Sequence, residues 1–376
     1  MSSLFLLTIM VIIFALAGGW FVLSELPYIS KKEPGNLPIR TLSIIIPVRN
    51  EEHTVPKLLD SLAMQSIQPH QVIIVDDDST DQTVATASQY DVEIKLKDKQ
   101  SKKDRFVGKT AACYRGAISA TGDWIVFIDA DTYFDHQDSL RDICQEFSKH
   151  SASGLLTIQP YHITKKLYEQ LSAPLNMIVV AGLNSFTILK SRLKTGGAFG
   201  PFLMCSVEEY WELGGHKKIL DSHLDNFMLT KLYQSHQLPV RNYGGKGTVS
   251  FRMYPEGPRQ WLSGWSKSLA NGSSNTHPLV MTAVALWIIG GFLIPILIGL
   301  SLLLSVSTIW LTIEILLYAV YAGLFYWLAG KVGRFPFWLF LLYPVLLLAF
   351  VTVYCWSFIQ VHILHTVTWR GRKIKV

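Results

Sequence analysis

The chain has only four cysteines (Cys113, Cys144, Cys205, Cys355), and none stands in a paired or metal-binding spacing. Nothing therefore requires a disulfide framework, which suits a reducing compartment. Charge is also scarce, at 16% of 376 residues, and the net charge of +6 is modest. Much of that excess flanks apolar runs, where cations meet anionic lipid. No stretch interleaves basic and aromatic residues as nucleic-acid surfaces do, so no nucleic-acid partner is expected. Internal repeats and low-complexity tracts are absent too.

What is abundant is apolar surface, at 49% of the residues. Leu4 to Leu23 carries no charge, about the ~20 residues that cross a bilayer. Ala15-Leu-Ala17 resembles a leader cleavage site. However, no Lys or Arg precedes the run, and apolar residues continue through Leu23, which favours an uncleaved anchor. From Leu279 to Leu364 the chain is again apolar. It reads as three spans: Leu279–Leu303, Ile309–Leu328 and Phe337–Ile359. Glu314, near the start of the middle span, is expected to snorkel to the headgroups. The expected organisation is an anchor (1–24), a linker (25–40), a globular domain (41–257), an interfacial amphipathic segment (258–278), the spans (279–364) and a basic tail (365–376).

In the globular part, strand-like and helix-like runs alternate. Thr41–Ile46, Gln71–Val75, Val92–Leu96 and Trp124–Ile128 read as strands. Glu51–Met64, Asp81–Tyr90 and Gly108–Ala120 read as helices. That alternation predicts an α/β fold with a mostly parallel sheet. Ligands of such sheets bind beyond the carboxyl ends of the strands. Three strand ends carry polar clusters: Pro47-Val-Arg-Asn-Glu-Glu52, Asp76-Asp-Asp-Ser-Thr-Asp81 and Asp129-Ala-Asp131. If Asp129 and Asp131 continue their strand, their side chains point the same way. Two such acids suit a hard divalent cation and, through it, a diphosphate. Asn50 and Asp81 are expected to cap the helices that follow them.

These three clusters, in this order and with Gly108-Lys109-Thr-Ala-Ala between the last two, resemble the family 2 glycosyltransferases of the GT-A fold. The resemblance implies a donor nucleotide sugar bound by Pro47, Glu51, Asp77, Lys109, Asp129 and Asp131. Glu51 and Asp77 would hold ribose and base, and Lys109 would supply a cation. Asp131 would tie Mg²⁺ or Mn²⁺ to the diphosphate, and Asp129 would contact the ribose or the metal shell. Asp78 departs from the glycine that the family often has there.

Farther on, Glu208-Glu-Tyr-Trp-Glu-Leu-Gly-Gly-His216 resembles the acceptor-side segment. The family follows it with Glu-Asp, whose Asp is the general base. The matching residues here are Asp225-Asn226, and a carboxamide cannot take the proton at neutral pH. Either Asp225 or Asp221 replaces the base, or none is needed. A carboxylic acid acceptor needs none, being ionised above pH ~5.

Gln159-Pro-Tyr-His-Ile-Thr-Lys165, Gly214-Gly-His-Lys217, Phe251-Arg-Met-Tyr254 and Gly264-Trp-Ser-Lys267 are similar to the bacterial carotenoid glycosyltransferases. That likeness implies glucose transfer from UDP-glucose to the carboxylate of a carotenoid acid, with other carotenoid-pathway membrane enzymes as candidate partners. The alternatives are another lipid, a polyprenyl phosphate or a polysaccharide as acceptor, or a non-catalytic protein that only binds nucleotide sugar. His162, His216 and Trp265 are acceptor-side candidates, although a lone His is more often structural. Trp261, Trp265 and Leu269 recur every four residues, as on an interfacial helix. The implied location is the bacterial cell membrane, multi-pass, with the globular domain cytoplasmic. Lys31, Lys32 and Arg40 agree with that side. The basic tail agrees only if the last apolar segment is re-entrant.

Overall fold

The computed structural model of the chain describes residues 2–31, 40–97, 108–189, 192–220, 225–272, 275–364, 366–369 and 372–375. Asp221 lies outside the described residues. The chain begins with α1 (Ser2–Leu23), β1 (Leu42–Val48), α2 (Val55–Ala63), β2 (Gln71–Asp76), α3 (Thr83–Ala87) and β3 (Glu93–Lys95). It continues through α4 (Lys109–Ser119), β4 (Trp124–Ile128), β5 (Thr132–Phe134), α5 (Ser139–Lys149), β6 (Leu155–Gln159) and β7 (Tyr161–Ile163). Next come α6 (Leu167–Gln170), α7 (Ser172–Ala181), β8 (Phe202–Ser206), α8 (Val207–Leu213), α9 (Asp225–Ser235), β9 (Val240–Gly244) and β10 (Val249–Phe251). Then follow α10 (Pro258–Gly272), α11 (Pro278–Leu303), α12 (Thr308–Val332), β11 (Gly333–Arg334), α13 (Tyr343–His362) and two short strands.

These elements form two compact units. The sheet unit comprises Pro27–Tyr161 and Gly197–Arg252. The helical unit comprises Met1–Leu26, His162–Gly196 and Met253–Val376. The stretch His162–Gly196 thus belongs with the apolar helices, although the sequence placed it inside the globular domain. Its α7 is apolar nearly all round (SAPLNMIVVA), as a helix buried among other helices must be.

In the sheet unit seven strands run in the order β3-β2-β1-β4-β8-β6-β9. β1 is parallel to both neighbours, with Ile45 opposite Ile73 on one side and Phe127 on the other. Its side chains alternate between two cores. Ile44 and Ile46 join Val126 and Ile128 on one face. Ile45 joins Ile73, Val75 and Phe127 on the other. Burial on both faces explains why these strands read as continuous apolar runs. The sheet turns mixed at β8, which is antiparallel to both β4 and β6. α4 packs closely on β1: a Cβ on Gly116 would lie 2.4 Å from Ile45 Cγ2.

Among the described residues of the helical unit, four helices are long and apolar enough to cross a membrane. Small residues let α1 and α11 approach. A Cβ on Gly18 would lie 2.9 Å from the Ala283 carbonyl oxygen, and one on Gly19 would lie 2.4 Å from the Trp287 ring. Trp287 stacks on Tyr321, whose hydroxyl donates to the Trp287 carbonyl at 2.8 Å. Glu314 does not snorkel. It is 1% exposed, and Ser301 donates to its Oε1 at 2.7 Å. The four-residue face of α10 is also turned inward: Trp261, Trp265 and Leu269 pack with Leu175, Phe350 and Val353.

Candidate active site

β1 delivers half-buried Pro47, paired with Val75 of β2, and the chain then turns sharply at Asn50, with φ of 52°. Asparagine is among the few residues that accept this left-handed conformation. Asn50 does not cap α2, which starts too far downstream at Val55. Its Oδ1 instead accepts from the Thr80 backbone at 2.8 Å. The exchange is mutual. The backbone N–H groups of Asn50, Glu51 and Glu52 donate to Ser79 Oγ, Thr83 Oγ1 and Asp81 Oδ2, and Gln82 N–H donates to Glu52 Oε2. The loops after β1 and β2 are therefore one hydrogen-bonded rim. Glu51 itself accepts from Thr54 Oγ1 at 2.6 Å. Asp81 does receive the Thr83 N–H, at 3.0 Å, at the start of α3. Burial opposes its charge, but hydrogen bonds from Thr83 and Glu52 outweigh that and lower its pKa.

The three aspartates after β2 differ in role. Asp76 accepts from the backbone of Asp78 and Ser79, closing the turn. Asp78 has φ of 69°, which accounts for glycine at this place in the family. Asp77 is buried. Its Oδ2 accepts from Gly108 N–H at 2.9 Å, and its Oδ1 pairs with Arg115 at 3.3 Å. Asp77 therefore ties down the start of α4. Gly108 has φ of +95°, a conformation that favours glycine.

That tie places Lys109. Its ammonium lies 2.6 Å from Asp129 Oδ1 and donates to the Gly200 carbonyl at 2.9 Å. Burial pulls its pKa down, but the carboxylates of Asp129 and Asp225 outweigh burial and hold it above the usual lysine range. Asp129 and Asp131 do not continue β4. They sit on a tight turn into β5, in which the Asp129 carbonyl accepts from Thr132 N–H at 3.1 Å. Both are half-buried, while Ala130 between them is buried.

The start of α9 comes to the same place. A Cβ on Gly200 would lie 3.4 Å from Lys109 Nζ and 3.8 Å from Asn226 Cγ. Asn226 Nδ2 donates to the Ala198 carbonyl at 2.6 Å, and Asp225 Oδ1 accepts from the Asn226 backbone. One neighbourhood in the sheet unit therefore holds Lys109, Asp129, Asp225 and Asn226.

The other candidates lie elsewhere. His216 is fully buried, with its ring against Phe127 and Tyr210 rather than open to an acceptor. His162, in the helical unit, is also fully buried, beside Phe335. Burial lowers the pKa of each to about 4. Trp265 is buried too; its indole N–H and that of Trp261 both donate to Ser172 Oγ, at 3.1 and 2.8 Å. None of the three side chains is presented for acceptor contact. Sequence reasoning missed Arg115 and the Gly200 carbonyl. Arg115 stands on α4 beyond the Gly108-Lys109-Thr-Ala-Ala motif, and a carbonyl carries no residue signature.

Residues 43–213 match the family model "Glycosyl transferase family 2". A 4,4'-diaponeurosporenoate glycosyltransferase of Staphylococcus aureus (strain N315) is 36% identical over 341 residues, 91% of this chain and 90% of that one. The chain belongs to glycosyl transferase family 2. A 4,4'-diaponeurosporenoate glycosyltransferase of Staphylococcus haemolyticus is likewise 36% identical, over 92% of this chain and 91% of its own. Among solved structures, a mannosyltransferase from Pyrobaculum calidifontis in complex with GDP-Man and Mn²⁺ aligns with a TM-score of 0.51. It is 17% identical and covers 92% of this chain and 95% of its own. The fold is the GT-A fold, and the protein is a glycosyltransferase.

Proposed function

We propose that this glycosyltransferase moves a sugar from a nucleoside diphosphate donor, UDP-glucose, onto the carboxylate of a carotenoid acid. The observation that carries the reading is Asn226. A carboxamide held by the Ala198 carbonyl borders Gly200 together with Lys109, where the family resemblance expects a base. An acceptor that arrives ionised removes the need for proton transfer. The donor C1–O bond breaks and its electron pair leaves with UDP. A carboxylate oxygen attacks C1 from the opposite face, so the configuration inverts and a glycosyl ester forms. The kinship to diaponeurosporenoate glycosyltransferases over nine-tenths of both chains supports this acceptor class.

Asp129 and Asp131 fit a hard divalent cation. Among the described residues no cluster of three or more His, Cys, Asp or Glu forms a protein cage. Two carboxylates plus the donor's phosphate oxygens are an ordinary ligand set for Mg²⁺ or Mn²⁺. Such an ion, when bound, stabilises the charge that develops on the leaving diphosphate. Lys109 offers a second positive charge to the same oxygens. Asp77, through Gly108, keeps that lysine in place, and the rim built from Glu51 and Asp81 is the surface offered to the nucleoside. The four apolar helices suit a bilayer, where a carotenoid acid resides, with the sheet unit on the cytoplasmic side that holds nucleotide sugars.

The test is Asp221→Asn/Asp225→Asn in one protein. Donor KM is expected to rise in this variant, but at donor saturation with a carotenoid acid kcat stays within about threefold of the parent, because no proton is abstracted. Loss of turnover at donor saturation would show that one of these acids is a base.

A further inference from the structure

Two buried polar atoms near Lys109 lack hydrogen-bond partners among the described residues: His216 Nε2 and Asp225 Oδ2. Native interiors seldom leave such atoms unsatisfied, and a buried carboxylate oxygen is among the costliest to leave so. Tyr210 Oη accepts from the His216 backbone N–H at 3.1 Å, and lies 3.0 Å from His216 Nδ1. The tautomer in which that hydroxyl also donates its proton to Nδ1 uses every one of these groups, and it leaves Nε2 as the N–H of the neutral ring. Neutrality is enforced by burial, which holds the imidazole pKa near 4.

The arrangement is built rather than incidental. Gly215, with φ of +45°, carries no side chain because a Cβ there would lie 2.3 Å from the Tyr210 ring. Phe127 closes the far side, with ring centroids 4.7 Å apart. Asp225 is the carboxylate whose charge acts on the ring, and it acts also on the Lys109 ammonium. The sequence Gly214-Gly-His216 thus shapes a socket with one N–H donor left to give, near a carboxylate with one oxygen left to satisfy.

We propose that His216 is a positioning residue whose Nε2–H holds the Asp225 carboxylate, directly or through one buried water, as a fixed counter-charge for Lys109. The need for it follows from Asp129. In the donor-free state Asp129 is the near partner of Lys109. Once Asp129 shares a cation with the diphosphate, that partner is drawn away. Asp225, kept in place by His216, then anchors the lysine. The proposal rests on the reading of Lys109 and Asp129 as the donor site, but it does not depend on which acceptor is used.

The experiment is calorimetric titration of the detergent-solubilised full-length protein with UDP in Mn²⁺, without acceptor. The variants are His216→Gln, His216→Asn, His216→Leu and Asp225→Asn. A glutamine amide reaches the Nε2 position, whereas an asparagine amide reaches only Nδ1. His216→Gln is expected to bind UDP within about twofold of the parent. His216→Asn, His216→Leu and Asp225→Asn should each weaken binding about tenfold. His216→Leu combined with Asp225→Asn should be no weaker than either alone, since both break one interaction. Equal loss in all three His216 variants would reduce His216 to packing and overturn the proposal, as would unchanged binding in Asp225→Asn. If His216→Leu does not fold, the Gln–Asn pair and Asp225→Asn decide alone. A parent protein that binds no UDP would overturn the donor-site reading itself, and this proposal with it.

Discussion

The two units bury polar groups in opposite ways. In the sheet unit the buried or half-buried groups near the strand ends are charges in pairs, Lys109 with Asp129 and Arg115 with Asp77. In the helical unit they are mostly neutral donors aimed at oxygens. Two indoles share Ser172, Tyr321 serves the Trp287 carbonyl, and Asn176 serves the Val332 carbonyl. A neutral hydrogen bond holds a fold at little desolvation cost. A buried charge pair is a poor way to gain stability and a good way to gain an electric field. The difference teaches where the chemistry sits. Changes in the Lys109–Asp129 pair should remove activity and spare the fold, and changes in the helical contacts should do the reverse.

The sharpest break in that comparison is Asp131→Asn. Transfer is expected to fall by about 10³ or more, with the thermal midpoint in detergent nearly unchanged. A stability loss without a rate loss would place Asp131 among the structural acids. Lys109→Met comes next, with a fall of about 10² in kcat/KM for the donor. Its fold should tolerate the change better than an Asp77→Ala variant, in which Arg115 and the Gly108 N–H both lose their partner.

On the helical side, Gly19→Leu should destabilise by about 1–3 kcal/mol, because the indole of Trp287 already fills the space a side chain needs. Protein that still folds should retain its donor KM. A milder effect comes from acid. His162 and His216 have folded pKa values near 4 against an ordinary 6.5, with burial as the cause. Between those values the unfolded chain binds protons that the folded chain refuses. Stability should therefore fall as pH drops from about 6.5 toward 4, and be fully present above that window. Melts at a series of pH values check the direction, and a midpoint that rises on acidification would contradict neutral burial. The smallest expected effect is that of Glu314→Gln, which keeps an oxygen for Ser301 and should shift stability by no more than about 1 kcal/mol.

Much of this division was legible in the sequence, and the reasons are local. β1, β2 and β4 are buried on both faces, so their apolar runs stand out, and the polar clusters begin where those runs end. The four long apolar helices were equally plain from length alone. What escaped depends on distant partners. Trp261, Trp265 and Leu269 have the spacing of a membrane-surface helix, but Leu175, Phe350 and Val353 cover them. By its place in the span Glu314 reads as bound for the headgroups, but Ser301, on the preceding helix, donates to it. Asn50 has a capping side chain, but its left-handed backbone turns that side chain to Thr80. The Asp129-Ala-Asp131 pair reads as a strand end, yet its geometry is a turn closed by Thr132, not an extended strand. In each case residue type announced the chemistry and tertiary packing chose the partner.

The central claim is that an ionised acceptor makes the carboxamide of Asn226 sufficient. The most direct measurement supplies the purified protein with labelled UDP-glucose, a divalent cation and, in parallel, a carotenoid carboxylic acid and the alcohol of the same skeleton. The account predicts an alkali-labile glycosyl ester from the acid and no glycoside from the alcohol. Equal transfer to the alcohol, or transfer to the alcohol alone, would contradict it.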